Sequence, residues 1–347
     1  AAGARAAQTD LRRSGVNVEL HLLDTENPQW LSLLEELPAR CVTVGGPLTK
    51  PRFKQVKDRQ MTSRRAFFTF LSALGDGEEG RTAWRFFPSE RDQVNTMLRF
   101  ARDAGAARFA VLYPEDSFGR KKAELFKGMA PNSYALSYPP KNTAAWNNIA
   151  AQLVGKDAQN AADPRFDALF LPDSWSNAAV MIPCLIFNGE QRMLLMGTAL
   201  WEHGMSQGPV IDSSNLRLAV FPGAWNKANP TPAASNLTAL LDEAGESRAD
   251  MWSGLGYDFV RFAAALDLQP GWNAAGVNAA LGSARQINWS MAPLLWSPDG
   301  LASQDMFVFT PKGIPVGIAP GEMKTRIGQV RAVCARRAAA QKGKAAQ

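Results

Sequence analysis

At roughly 150 residues per domain, a 347-residue chain makes about two domains, each large enough for its own core. Hydrophobic residues at 46% and charged residues at 20% are ordinary globular values and exclude a disordered or fibrous chain. The formal charge of +6 is carried by the last 27 residues, where seven basic side chains face one acidic, so no basic face spreads over the folded part and no nucleic-acid partner is expected.

Residues 1–13 read as a helix closed by Gly15, residues 16–23 alternate as a strand, Asn27 and Pro28 open a helix to about Leu37, and residues 40–44 form a strand ending at Gly45-Gly46. This αβαβ order signals a mostly parallel sheet with helices on both faces. Such a domain usually begins with a strand at the sheet centre, yet residue 1 already lies in a helix. A strand upstream of it is therefore expected, together with an export segment. The alternation continues with strands at 66–70 and 82–87, a helix at 92–103, a strand at 108–113, a helix at 119–129, and strands at 168–171 and 193–196. The longest apolar run, residues 178–187, contains Pro183 and is half the ~20 residues that span a bilayer, so it is expected to be a buried helix.

Signals of catalysis or metal binding are weak. Cys41, Cys184 and Cys334 are far apart and have no ligand spacing, and His21 and His203 have no partner at i+4. The glycines of Gly75-Asp76-Gly77-Glu78-Glu79-Gly80 are spaced as in a dinucleotide loop, but carboxylates occupy the pyrophosphate's approach and a strand follows where a helix should. No GxSxG, P-loop or HExxH is present. No enzyme activity, cofactor or metal is expected.

Four segments, in order, resemble the type I periplasmic solute-binding proteins, the Leu/Ile/Val-binding-protein family. They are Val44-Gly45-Gly46-Pro47-Leu48-Thr49, the segment from Trp84 to Gln93, the segment from Ala110 to Gly119, and Gly254-Leu255-Gly256-Tyr257-Asp258. The resemblance implies an α/β fold of two Rossmann-like lobes with parallel sheets, joined by a multi-crossing hinge and closing on a ligand at the carboxyl ends of the strands. Lobe 1 is expected over 1–88 and 223–290, lobe 2 over 89–222 and 291–316, and a basic C-terminal helix over 317–347, with Phe87, Pro88 and Pro222 at the hinge.

By the same resemblance the ligand-facing positions are Thr49, Lys50, Ser72, Ala73, Phe118, Ser174, Trp175, Thr198 and Trp201. Phe118 and Trp175 serve equally well as packing aromatics, and Lys50 as a solvated charge beside Arg52 and Lys54. The loops after Leu171 and Met196 offer Ser174, Trp175, Thr198, Ala199 and Trp201, with no acidic residue at the place where the family pairs an α-ammonium, which argues against a free α-amino acid. The expected function is periplasmic capture of a small polar ligand (amino-acid-like, amide or peptide) for a membrane transporter permease, the protein being exported and open to lipid anchoring. The alternative is the same fold used as an interaction lipoprotein, similar to activators of peptidoglycan synthases, whose partner is a cell-wall enzyme; the basic cluster at 50–65 points that way. In the tail, Met323, Ile327, Val330 and Cys334 share one helix side, which either docks on lobe 2 or meets an anionic surface.

Overall fold

The computed structural model describes residues 1–155, 165–282, 287–312 and 315–345. In chain order these carry α1 (Ala2–Arg13), α2 (Trp30–Glu36), β1 (Thr43–Gly45), α3 (Lys50–Asp58), β2 (Ala66–Thr69), β3 (Trp84–Arg85), α4 (Glu90–Asp103), β4 (Phe109–Pro114), α5 (Ser117–Met129), β5 (Tyr134–Tyr138) and α6 (Trp146–Val154). There follow β6 (Ala168–Phe170), α7 (Trp175–Phe187), β7 (Leu194–Met196), α8 (Leu200–Gln207), β8 (Ala219–Gly223), α9 (Pro232–Glu243), α10 (Met251–Leu266), α11 (Ala274–Leu281), β9 (Leu294–Trp296), β10 (Ala302–Gln304), β11 (Phe307–Thr310), β12 (Val316–Gly317) and α12 (Pro320–Ala345). Two compact units result: Ala1–Asp92 with Ala224–Met306, and Gln93–Gly223 with Phe307–Gln347. Residues 291–306, expected in lobe 2, belong to unit 1. There β9 and β10 pair antiparallel with each other, Ala292 N–H donates to Ala224 O at 2.9 Å, and the Arg85 guanidinium donates to Ala302 O.

Unit 2 is one sheet in the order β12-β11-β8-β7-β6-β4-β5, parallel from β8 to β5 and antiparallel where β11 and β12 join. Its strands are apolar on both faces. Leu169, Leu112, Leu195 and Phe221 enter a core with α6, α7 and α8, while Phe170, Val111, Met196 and Val220 enter a second core with α4, α5 and α12. The apolar run at 178–187 lies in α7 but is buried along one side only: Ala178, Met181, Ile182 and Leu185 are buried, whereas Val180, Pro183 and Phe187 are exposed; the α12 stripe docks on unit 2, with Met323 and Ile327 buried in the second core. Residues 346–347 of the expected tail lie outside the described residues.

Unit 1 pairs β1, β2 and β3 in parallel, with Val42, Phe68 and Trp84 facing α1, α9 and α10, and Phe67 facing α2 and α3. Helices α1 and α10 pack closely through glycine: a Cβ on Gly3 would sit 1.8 Å from Ser253 O, and one on Gly256 3.2 Å from Ala4 N. The strand expected at 16–23 is not formed: these residues lie in neither a strand nor a helix. Among the described residues their main chain makes two hydrogen bonds, Val16 N–H to Leu11 O at 2.8 Å and Gln8 Nε2 to Val18 O at 2.9 Å. The glycine-rich stretch after β2 is a turn, in which Gly75 N–H donates to the Glu78 carboxylate at 2.8 Å.

Candidate ligand-binding site

Within unit 1, the loops after β1 and β2 lie side by side at the strands' carboxyl ends: Gly46 N–H donates to Phe68 O at 2.8 Å and Phe70 N–H to Pro47 O at 3.2 Å. Thr49 takes the N-cap position of α3 with extended backbone, and its hydroxyl makes no cap hydrogen bond. Thr49, Lys50 and Ala73 are exposed and Ser72 is half-buried, so this end presents hydroxyls and one ammonium to solvent.

Unit 2 brings a second set to its own carboxyl ends. Asp116 caps α5 through Gly119 N–H at 2.7 Å, and Gly119 must be glycine because a Cβ would sit 2.0 Å from Pro114 O. That close turn leaves Phe118 partly exposed at 39%, with Lys122 Nζ 5.2 Å from its ring centroid. Ser174 caps α7, accepting from Asn177 N–H at 3.3 Å. Thr198 follows β7 and is 2% exposed, and its Oγ1 makes no hydrogen bond among the described residues. Trp175 and Trp201 meet edge to face at 5.6 Å inside the α6–α8 core. Trp175 Nε1 donates to Pro209 O at 2.9 Å and Trp201 Nε1 to Asp173 O at 3.1 Å, so these two rings shape the loops and their polar edges are spent.

Two carboxylates here escaped the sequence reading. Asp173, beside Ser174, is buried and accepts from Ser174 N–H at 2.6 Å, Asn177 Nδ2 at 2.8 Å and the Tyr138 hydroxyl. With three of roughly four acceptor positions filled, it orders the loop. Burial first, then the Asp173 charge and hydrogen bond, push the Tyr138 hydroxyl pKa far up, so it stays a donor. Glu202, in the first turn of α8, is half-buried; among the described residues its carboxylate has no hydrogen-bond or ion-pair partner, and burial raises its pKa. Its Oε2 lies against Gly223 at the carboxyl end of β8, 3.6 Å from where a Cβ would stand. The sequence signal was faint: Glu202 is five residues beyond Gly197, and only the α8 turn returns it to the strand ends.

The family-like segments have structural reasons. Arg85, 4% exposed, donates to Phe87 O at 2.5 Å and to Asp92 Oδ2 at 2.8 Å, and Asp92 accepts from Ser89 N–H at 2.7 Å, which fixes the start of α4. Gln93 Oε1 then accepts from Ala199 N–H at 3.1 Å, tying the loop after β7 to α4. Asp258, 1% exposed, accepts from Ser290 N–H at 2.9 Å and Met291 N–H at 3.0 Å, and Tyr257 donates to Asp10 at 2.5 Å. Of the expected hinge residues, Phe87 stacks on Trp252 within unit 1 at 6.1 Å, and Pro222 sits in β8 opposite Val308.

The basic cluster at 50–65 is largely neutralised. Arg52 meets Glu26 at 3.3 Å, Lys54 meets Asp58 at 2.7 Å, and Lys57 pairs with Glu78. Arg59 meets Glu35 at 3.5 Å, and Arg65 is buried against the carbonyls of Leu37, Pro38 and Cys41. Glu19, His21 and Cys41 converge within 4.8 Å, a grouping the sequence reading did not foresee. The Glu19 oxygens are taken by His21 Nε2 at 2.8 Å and Arg40 Nε at 2.6 Å, and burial raises the Cys41 thiol pKa, which disfavours a metal. No helix is long and apolar enough to cross a membrane among the described residues.

No family model and no curated protein matches the sequence. Solved structures do match. A putative branched-chain amino acid ABC transporter protein from Rhodospirillum rubrum is 13% identical with a TM-score of 0.70, over 91% of this chain and 93% of that one. The C-domain of LpoA from Haemophilus influenzae, a regulator of PBP1A, is 13% identical with a TM-score of 0.60, over 91% and 94%. The branched-chain amino acid substrate-binding protein LivJ from Streptococcus pneumoniae, in complex with isoleucine, is 13% identical with a TM-score of 0.56, over 91% and 93%. The chain has the type I periplasmic-binding-protein fold. Among these fold neighbours are a substrate-binding protein and a regulator of PBP1A.

Proposed function

We propose that the chain is an extracytoplasmic solute-binding protein that takes a small polar ligand on the carboxyl-end loops of its sheets and serves a membrane transporter. One observation carries the reading. In unit 2 the Thr198 hydroxyl and the Glu202 carboxylate stand at the strand ends with hydrogen-bonding capacity that no neighbour among the described residues uses. Unspent polar groups of this kind are costly in a free protein and become an asset when a ligand satisfies them.

The same pair changes the ligand class. The case against a ligand ammonium rested on the lack of a nearby carboxylate, and Glu202 supplies one. The reading therefore favours an ammonium-bearing small molecule, an amino acid or short peptide, with Ser174 of the same unit as a candidate hydroxyl for its polar end and Phe118 as an apolar wall.

A thermal-shift screen over amino acids, amides, dipeptides and sugars tests this. A ligand at a hundred times its dissociation constant raises stability by about 2.7 kcal/mol. Glu202→Gln should then weaken ammonium-bearing hits by roughly 10- to 100-fold, the worth of a charge-assisted hydrogen bond, and leave uncharged hits unchanged. No stabilisation by any of these classes would overturn the reading.

The similarity to the LpoA C-domain supports a second reading, a regulator of a cell-wall enzyme. The pairing of the basic cluster at 50–65 removes its former sequence support. Stimulation of a purified peptidoglycan synthase by a protein that binds no small molecule would favour it.

A further inference from the structure

Helix α12 settles on unit 2 at its start and parts from it further on. Met323 is fully buried and Ile327 is 7% exposed, whereas Val330 and Cys334, next along the same side, are only half-buried and Arg337 is exposed. From Ile327 to Arg337 the helix advances about 15 Å. Along that stretch opens a cavity of about 230 Å³, room for about eight waters. Its opposite side is the amino-terminal end of β7 and β8, where Met193 and Leu218 precede the two strands. Thr198 and Glu202 stand at the other end of the same strands.

The deep residues of this cavity are apolar, Met193 and Leu218 being buried, and two of its exposed ones are cationic. Arg217, on the approach to β8, and Arg337, on α12, both line it, and neither guanidinium has a hydrogen-bond or ion-pair partner among the described residues. The carboxylates nearby are engaged. Glu190 accepts from Met193 N–H at 2.8 Å and from Arg192 Nη2 at 3.3 Å. Asp212, close enough to Arg217 to feel its charge, accepts from Ser214 N–H at 2.8 Å. Arg217 also borders an adjoining hollow with Lys312 and Arg326, the latter paired with Glu322 at 2.5 Å, so positive charge prevails around the opening.

An apolar interior beneath two unpaired guanidiniums selects an amphiphilic anion. We propose that this cavity is a second ligand site of unit 2, for a small apolar carboxylate of about eight non-hydrogen atoms, its carboxylate held by Arg217 and Arg337 and its hydrocarbon body lying against Leu218 and Val330. The planar guanidinium fork matches a carboxylate in two parallel hydrogen bonds. A neutral molecule of the same shape would displace water from both guanidiniums and offer them no charged acceptor in return. Because the two arginines stand on different elements, the bound acid joins α12 to the sheet end from which the helix otherwise departs.

The test titrates the full chain with hexanoate, a carboxylate of eight non-hydrogen atoms, and reads by peptide mass mapping how fast iodoacetamide alkylates each cysteine. Cys334 lines the cavity and is half-buried, whereas Cys41 and Cys184 are half-buried elsewhere and serve as internal references. Saturating hexanoate is expected to slow alkylation of Cys334 at least about 5-fold, to leave Cys41 and Cys184 unchanged, and to slow amide exchange over residues 330–337. Acetate has the charge without the body and hexanamide the body without the charge; each should bind at least about 10-fold more weakly. Arg217→Gln and Arg337→Gln should each weaken hexanoate by about 10-fold. Four outcomes would overturn the proposal: no slowing at Cys334 up to about 0.1 M hexanoate, equal slowing at all three cysteines, equal affinity for hexanamide and hexanoate, which would make the cavity an unselective apolar site, or undiminished hexanoate binding in both arginine variants. Alkylation of Cys334 reads this end of the sheet alone, so its result is separate from that of the screen for a ligand at Glu202.

Discussion

The seven strands of unit 2 make one sheet with helices on both faces, whereas the main sheet of unit 1 has three short strands. Where the ladder ends, unit 1 binds its main chain through buried charged side chains. Arg65 takes three carbonyls, Arg85 takes the carbonyls of Phe87 and Ala302, and Asp258 takes the N–H groups of Ser290 and Met291. In unit 2 the buried carboxylates of Asp173 and Glu190 bond to strand-end loops, and the body is held by apolar packing such as Phe126 on Phe170, stacked at 5.0 Å. A seven-stranded sheet covered on both faces can be apolar throughout; a three-stranded one leaves more main chain for polar side chains to occupy, and each carries a desolvation cost.

The largest expected effect breaks that tether. Arg85→Ala would leave Asp92 and Glu79 without their cation in a site where Arg85 is only 4% exposed, a loss of about 3–5 kcal/mol. Arg85→Lys should recover little, since one ammonium cannot reach two carbonyls and two carboxylates at once. Urea unfolding followed at unit 1 signals is the measurement, with Phe170→Ala as the counterpart in unit 2, also expected to cost about 3–5 kcal/mol through its cavity. A loss below about 1 kcal/mol for Arg85→Ala would show that unit 1 does not rely on its buried charges.

The contrast also explains what the sequence made legible. The strands of unit 2 announced themselves as short runs such as Ala168–Phe170, apolar at consecutive positions because both faces are covered. The family-like segments were legible because they carry local constraints: Gly119 against Pro114 O, Arg85 with Asp92, and the glycines that bring α10 onto α1. The strand at 16–23 was read from correct alternation, yet a ladder needs a neighbour, and periodicity does not reveal whether one is within reach. Glu202 was missed for a related reason. Its position at the strand ends depends on a helix turn bringing it back to Gly223, and Trp175 and Trp201, prominent in the sequence, are buried in the α6–α8 core. Division of the chain at Met306 was illegible because the antiparallel pairing of β9 with β10 leaves only short, unremarkable runs.

A smaller effect separates the units by pH. Burial, outweighing the hydrogen bonds from Ser290 and Met291, raises the Asp258 carboxyl pKa from 3.8 to about 6. The native state then keeps its proton to higher pH than the unfolded chain, so this group's contribution is most favourable below about pH 4, declines as pH rises from 4 to 6, and is lost above that. The magnitude is on the order of 1–3 kcal/mol. Other carboxylates, among them Glu78 and Asp167, are shifted downward and titrate with the opposite sign, so the quantity to measure is the difference in stability between the wild type and Asp258→Asn. That difference should change by at least 1 kcal/mol between pH 4 and 7 in the stated direction. A flat difference would mean that Asp258 is solvated in the native state.

The smallest effect falls on the site itself and carries opposite signs in two measurements. Thr198 is 2% exposed and its hydroxyl lacks a partner among the described residues, so the free protein bears the cost of a desolvated oxygen. Thr198→Val keeps the shape and β-branching and removes that oxygen, which should stabilise the free protein by up to about 1 kcal/mol, the lower part of the range for a buried unsatisfied group. The same change should weaken a ligand from the thermal-shift screen by about 10-fold, because the hydroxyl is then missing when the ligand needs it. The pairing of the two results is informative. Loss of stability together with unchanged affinity would show that the hydroxyl is satisfied within unit 2 and serves packing alone; gain of stability with weakened binding would mark Thr198 as a group held unsatisfied for the ligand, the behaviour expected where a binding site keeps strain that the rest of its sheet does not.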